Sequence, residues 1–277
     1  ILGVSPINTT ISVYYRHGGG FGHNVGPGQI INVVSLVTKF NSSISASKVR
    51  NIRNSIEAYN EVRASGGTDR PTLNDLRAVA LNYRGSQDRI VTKQDLMTRV
   101  YTMPSNFGRV YRVAIRKNNF AQSTALMSVL TKDESGKLTY ATDTLKNNIA
   151  KYINEYRLIG DSIDILDGKI INYGIQFTIT VNNRYNENNV LVKIINKLKN
   201  FLKTDNYQID QPINLTDLSL LITTTEGVNT INSLKMIARS GVVNDREYSS
   251  TMFNVNESTR KGVVYPPDGG MFELKHP

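Results

Sequence analysis

Apolar positions along the chain fall into two periods, and the change from one to the other marks most of its elements. Strict alternation comes first, at Thr9–Tyr15, where Ile11, Val13 and Tyr15 share a side. It predicts a strand. A glycine-rich loop, His17 to Gly28, follows, and then a second strand over Ile30–Val37, so that the two make a hairpin with a long tip. Val49, Ile52, Ile56 and Tyr59 are spaced for a helix within Ser47–Val62. Helical spacing returns at Leu73, Leu76, Val79 and Ala80, and again at Leu96, Val100 and Met103. Each of these two runs opens on a capping-box-like pair, Thr72 with Asp75 and Thr92 with Asp95, and Pro104 ends the second. Ahead of the first, Gly66-Gly67 supplies a reversal, and Asp69 offers a carboxylate to nearby backbone N–H groups.

Alternation over Arg109–Arg116 sets Tyr111, Val113 and Ile115 on one face and Arg112, Ala114 and Arg116 on the other. Ala125–Leu130 and Lys137–Ala141 predict a hairpin about Asp133-Glu-Ser-Gly136. Asp143–Tyr156 is an amphipathic helix through Leu145, Ile149, Tyr152 and Ile153. Ser162–Leu166 reads as a short strand, joined by an Asp167-Gly168 hairpin turn to the cleanest alternation in the chain, Ile171 to Val181. A second amphipathic helix covers Asn188–Leu202, a short third begins at Asn214-Leu-Thr-Asp217, and a strand lies near Ser233–Arg239. The tail beyond Phe253 is strand-prone and turn-rich. The fold class is therefore α+β, with mixed, mostly antiparallel sheets and helices packed on one face, in several small units. The units are expected at 1–70 (a β-rich entry with the glycine-rich loop and a helix), 71–141 (helix, helix, hairpin), 142–240 (an α+β sandwich) and 241–277 (a β-prone tail).

Composition narrows the chemistry. There is no cysteine, which removes disulfides, thiol nucleophiles and thiolate metal sites and suits a reducing compartment. No run of about 18 apolar residues exists to span a membrane. Net charge is 33 − 23 = +10 and is uneven: Arg77–Lys117 holds nine Lys/Arg against Asp88 and Asp95, whereas 141–230 is near neutral. Such a window asks for an acidic partner. A nucleic-acid-binding protein using residues 77–117 is the alternative reading, but Tyr83, Tyr101, Phe107 and Tyr111 are scattered over different elements rather than interleaved with the basic residues.

The glycine-rich loop has neither the spacing of a dinucleotide fingerprint nor the Lys-Ser/Thr ending of a P-loop. His17 and His23 have no third ligand nearby in the sequence, and Asp161, Asp164 and Asp167 lack the glycine and terminal glutamate of a calcium loop. No Gly-x-Ser-x-Gly elbow or His-Glu-x-x-His occurs. The expectation is a non-enzyme with no catalytic, metal or cofactor site, working through interfaces. The carriers expected are the loop tip (Gly18, Gly19, Gly20 and Phe21), the arginine-bearing strand (Arg109, Arg112 and Arg116) and the tail, including Phe272.

The order and spacing of three features carry a resemblance: the Ser65-Gly-Gly-Thr-Asp69 turn, the Asp75-Leu-Arg77 helix start, and Arg89-Ile-Val-Thr ahead of Asp95. Together with the strand–glycine loop–strand entry and the Gly227-Val228 turn they resemble the baseplate J-like family of contractile phage tails, and within it the inner-ring wedge members of T-even-like phages. The resemblance runs over most of the chain and is weakest at 39–63 and 117–141. It implies a structural virion protein of the tail baseplate, assembled in the host cytoplasm. Such a protein would associate with itself into a dimer or ring, bind other baseplate wedge proteins and take part in the contraction-linked rearrangement, without cofactor, membrane or nucleic acid. It also implies that this chain, which begins at Ile1, is the C-terminal part of a longer protein.

Overall fold

The computed structural model describes residues 9–10, 12, 14, 19–85, 89–119 and 124–276. The strand expected at Thr9–Tyr15 falls mostly outside the described residues, and so do His17 and Gly18. The architecture is α+β with mostly antiparallel sheets, as the periodicities predict.

The chain first makes an excursion, residues 29–61, that buries none of its side chains. Its neck is closed by Asn60: Gly28 N donates to the Asn60 carbonyl (2.8 Å), Ile30 N to Asn60 Oδ1 (3.0 Å), and Asn60 Nδ2 to the Gly26 carbonyl (2.9 Å). Helix α1 covers only Ala46–Asn54, not the whole of Ser47–Val62. The strand expected over Ile30–Val37 has no regular structure. Its residues are strand formers, but a strand needs ladder partners for its N–H and C=O groups. No backbone hydrogen bond joins residues 31–37 to another described residue.

Two capped helices follow, α2 (Leu73–Gly85) and α3 (Lys93–Tyr101). The second has a full capping box: Asp95 N donates to Thr92 Oγ1 (3.1 Å) and Thr92 N to Asp95 Oδ2 (2.9 Å). At the first, Asp75 N reaches Thr72 Oγ1 (3.2 Å) and the Thr72 hydroxyl turns to the Asp75 carboxylate (2.8 Å).

The first core lies under a four-stranded sheet. Strands β1 (Arg112–Lys117), β2 (Thr124–Lys132) and β3 (Leu138–Tyr140) are antiparallel neighbours. Helix α4 (Asp143–Asn154) then leads to β4 (Ser162–Asp167), which runs parallel to β2. Leu96 and Val100 of α3, Val113 and Ile115, Met127 and Val129, and Leu145, Ile149 and Ile153 of α4 close this core.

The second core surrounds β5 (Lys169–Val181). After it come α5 (Glu187–Phe201), β6 (Ile213–Asn214), α6 (Leu215–Thr223) and β7 (Val228–Arg239), which pairs antiparallel with β5. The tail adds β8 (Val242–Val243), β9 (Arg246–Glu247), α7 (Val255–Ser258), β10 (Thr259–Arg260), β11 (Val263–Val264) and β12 (Gly270–Glu273). β11 pairs with β6, and β12 runs parallel to β5. The tail therefore wraps onto the chain's own second core.

Asp167-Gly168 is not a hairpin turn. β4 and β5 belong to different sheets, and these two residues are the crossover between them. The crossover passes so close to β2 that a Cβ on Gly168 would stand 2.6 Å from Leu130 Cγ. β2 is the seam: Met127 and Val129 enter the first core while Leu130 enters the second, so residues 127–132 are buried on both faces.

Candidate assembly interface

Two of the segments that carry the sequence resemblance, the glycine-rich loop and Ser65–Asp69, lie more than forty residues apart along the chain, and the structure ties them, with the end of β2, into one junction. At its centre is Asn24, buried, whose amide ties its own segment to two others. Nδ2 donates to the Gly67 carbonyl (2.9 Å) and to the Lys132 carbonyl at the end of β2 (2.8 Å), and Oδ1 accepts from Gly67 N (2.8 Å). Around it, Thr68 N donates to the Gly19 carbonyl (2.9 Å) and Ala64 N to the Val25 carbonyl (2.9 Å). The Asp69 carboxylate is not used locally: it accepts from Phe21 N, 48 residues back (3.1 Å).

Glycine is needed here for space as well as for backbone angle. A Cβ on Gly67 would lie 2.5 Å from the Gly20 carbonyl oxygen, which is backbone and cannot rotate away. Gly66 and Gly108 both have positive φ, +97° and +89°, and their backbones touch where Arg109 N donates to the Gly66 carbonyl (3.0 Å).

The arginine-bearing strand behaves differently from the expectation. The alternation holds over Arg112–Arg116, with Val113 and Ile115 in the first core, but Tyr111, expected beside them, packs against the second core, and the face carrying Arg112, Ala114 and Arg116 looks onto that second core rather than outward. Arg112 is only 6% exposed; its guanidinium donates to the carbonyls of Tyr207 (3.1 Å), Asp205 (2.9 Å) and Tyr111 (3.2 Å). Arg116 pairs with Asp268 (3.0 Å) and Asp210 (3.6 Å). These two cations bind the chain's own second half, so they are not excess charge awaiting a partner. Arg109 differs: it is exposed, with no ion pair among the described residues. Phe272 is 2% exposed, a core residue edge-on to Tyr173 and Phe253, and offers nothing to a partner.

Beside Arg112 lies a cluster that sequence reasoning missed. Lys132 Nζ pairs with Asp205 Oδ1 (2.5 Å) and stands 4.0 Å from the Tyr111 ring centroid and 5.3 Å from that of Phe21. The Tyr111 hydroxyl donates to the same carboxylate oxygen (2.7 Å). Burial would raise the Asp205 carboxyl, but the hydrogen bonds from Lys132 and Tyr111 outweigh it and hold it below the ordinary carboxylate range. Burial pushes the Tyr111 phenol well above its usual value, so it remains a donor. Lys132 lies two residues beyond the strand expected at Ala125–Leu130, and its partner Asp205 comes 73 residues later, so nothing local marked it.

Chemically the cluster is a closed clamp: every charge in it has its counter-charge. Two open clefts flank the junction. One, about 1310 Å³, exposes Arg63, Arg70, Arg109 and His23; the other, about 770 Å³, runs between α2 and α3 over Leu76, Val79 and Met97. Among the described residues no three His, Asp or Glu side chains gather as a metal site. Asp167 is instead the ion-pair partner of Lys146 (2.8 Å). Among the described residues no helix is long and apolar enough to cross a membrane.

No protein-family model matches the chain, and no curated protein matches it. Among solved structures, the baseplate of the anti-feeding prophage aligns over 78% of this chain and 46% of the other, at 11% identity and a TM-score of 0.45. The chain thus spans about half of that neighbour's length, and a likeness this loose carries no argument about individual residues.

Proposed function

We propose that the chain is a structural component of a contractile-tail baseplate, a wedge protein that assembles with copies of itself and with other wedge proteins. The observation that carries the reading is the Asn24 junction. The residues behind the sequence resemblance, the glycine loop and Ser65–Asp69, serve there as architecture and present no acid, base or nucleophile in a catalytic arrangement. Of the interface carriers expected from the sequence, Gly19, Gly20, Phe21 and Arg109 remain at the rim of the junction. Partner contact is assigned to them and not to Arg112, Arg116 or Phe272. Gly18 lies outside the described residues.

The nucleic-acid reading gains no such support. In the basic window Arg112 and Arg116 are committed within the chain, and Arg99 stacks on Tyr156 at 4.3 Å.

The test is to tag the chain in producing cells, purify contractile particles and localise the tag by electron microscopy. Label at the baseplate end, with the chain stoichiometric in the particle by mass spectrometry, is the expected result. Intact particles that lack the chain would overturn the reading.

A further inference from the structure

The excursion 29–61 is the least explained part of the molecule. Ile30, Ile31, Val33, Val34, Leu36 and Val37 are all exposed, Val34 at 96%, and Tyr59 and Val62 are exposed at the far end. Read as a strand, the limb is apolar on both sides: Ile30, Val34 and Leu36 on one, Ile31, Val33 and Val37 on the other. That pattern belongs to a strand buried on both faces, not to a surface edge. Uncovered apolar surface of this kind marks an interaction site.

Charge says what covers it. The arm, residues 29–61, carries Lys39, Lys48, Arg50 and Arg53, and its two carboxylates, Glu57 and Glu61, come only after α1, so the limb and the helix themselves hold cations alone. None of these cations has an ion pair among the described residues. Arg53 Nε donates to Thr38 Oγ1 (2.9 Å) and its guanidinium lies 5.8 Å from the Phe40 ring, which holds α1 beside the end of the limb. The apolar limb and the basic helix are therefore presented together.

We propose that residues 29–61 are a docking arm for an acidic partner protein with an open sheet edge. The limb 30–37 adds to that edge as a strand, and α1 lays Lys48, Arg50 and Arg53 on the partner's carboxylates. A second copy of this chain, at +10, would meet the arm with like charge. A lipid surface would leave the limb's N–H and C=O groups unpaired in hydrocarbon. A nucleic acid offers no cover for six aliphatic side chains. The proposal deepens the baseplate reading by naming the surface and the chemistry of one partner.

The test places a benzophenone amino acid at Val34, and at the fully exposed Ile159 as control, in the full chain made in producing cells. No residue of the arm is buried, so these variants and Lys48→Glu/Arg50→Glu/Arg53→Glu are expected to keep the parent melting temperature. Position 34 is expected to cross-link to a different, acidic chain, and the triple charge reversal to cut the yield at least about tenfold. Amides 31–37 are expected to exchange fast in the free chain and about a hundredfold more slowly in the assembled particle. Cross-links to a second copy or to lipid, no cross-link, unchanged exchange, or indifference to charge reversal would each overturn the arm. If the chain is missing from particles the baseplate reading fails, while cross-linking in whole cells, with and without the charge reversal, still decides the arm.

Discussion

Lys132→Met is the substitution that most directly probes how the two cores are held together. The lysine side chain is 7% exposed, and Met keeps most of its length and removes only the charge. Three interactions go with it: the 2.5 Å pair to Asp205 and the approaches to the rings of Tyr111 and Phe21. A hydrogen bond to a charged group is worth about 1.5–3 kcal/mol, and a cation over an aromatic face about 0.5–1 kcal/mol or more. The Asp205 side chain is 54% exposed, so water recovers part of its lost partner and keeps the cost below the roughly 3–5 kcal/mol of a fully buried broken pair. The expected loss is about 2 kcal/mol. Asp205→Asn should cost less, about 1 kcal/mol, because its amide oxygen still accepts from Tyr111. Urea denaturation of both single variants and the double variant closes a cycle with an expected coupling near 1 kcal/mol. A loss under about 0.5 kcal/mol for Lys132→Met, with zero coupling, would refute the clamp as a source of stability.

Other contacts in the molecule set further expectations. Acid should weaken the clamp: the folded Asp205 carboxyl sits below its unfolded value, so its contribution is present above the unfolded pKa of about 3.8 and is lost as pH falls through the folded one. Melting between pH 5 and pH 2 should therefore show a smaller acid loss in Asp205→Asn than in the parent. Gly67→Ala drives a Cβ into the Gly20 carbonyl and should cost about 1–3 kcal/mol, with faster amide exchange at Thr68 as the local sign. Thr92→Ala removes the acceptor of the α3 box and should cost about 1 kcal/mol by thermal unfolding. Asn60→Ala removes the side-chain acceptor of Ile30 N but keeps the backbone carbonyl that Gly28 N bonds, so it should speed exchange at Ile30 while leaving both cores at their original stability, because the excursion buries nothing.

What the sequence disclosed was mostly local. The Thr92 box, the α4 stripe and the β2–β3 turn rest on contacts within a few residues, and each lies close to where its pattern put it. Long-range partners left less trace. Arg112 and Arg116 occupy the polar phase of an alternating strand, which ordinarily means solvent; here that phase faces a second core whose Asp205, Asp210 and Asp268 come roughly a hundred residues later or more. Asp167-Gly168 has the composition of a tight turn, but the strand after it joins another sheet. Phe272 ends a turn-rich tail and still sits in the core, because β12 completes the sheet beside β5. Asn24 stands in the strand–glycine loop–strand entry that carries the resemblance, but its role could not be read there, because it depends on Gly67 and Lys132 arriving from elsewhere.

The Asn24 amide also has a mechanical meaning. Tension on the outer excursion enters through Asn60, passes along the neighbouring Val25–Ala64 bond, and reaches the carbonyl of Lys132 through Asn24. Lys132 closes the strand that both cores share. Polar links thus join the periphery to that shared strand without passing through either close-packed interior. Anything that seizes the outer limb holds a lever on the strand between the two halves.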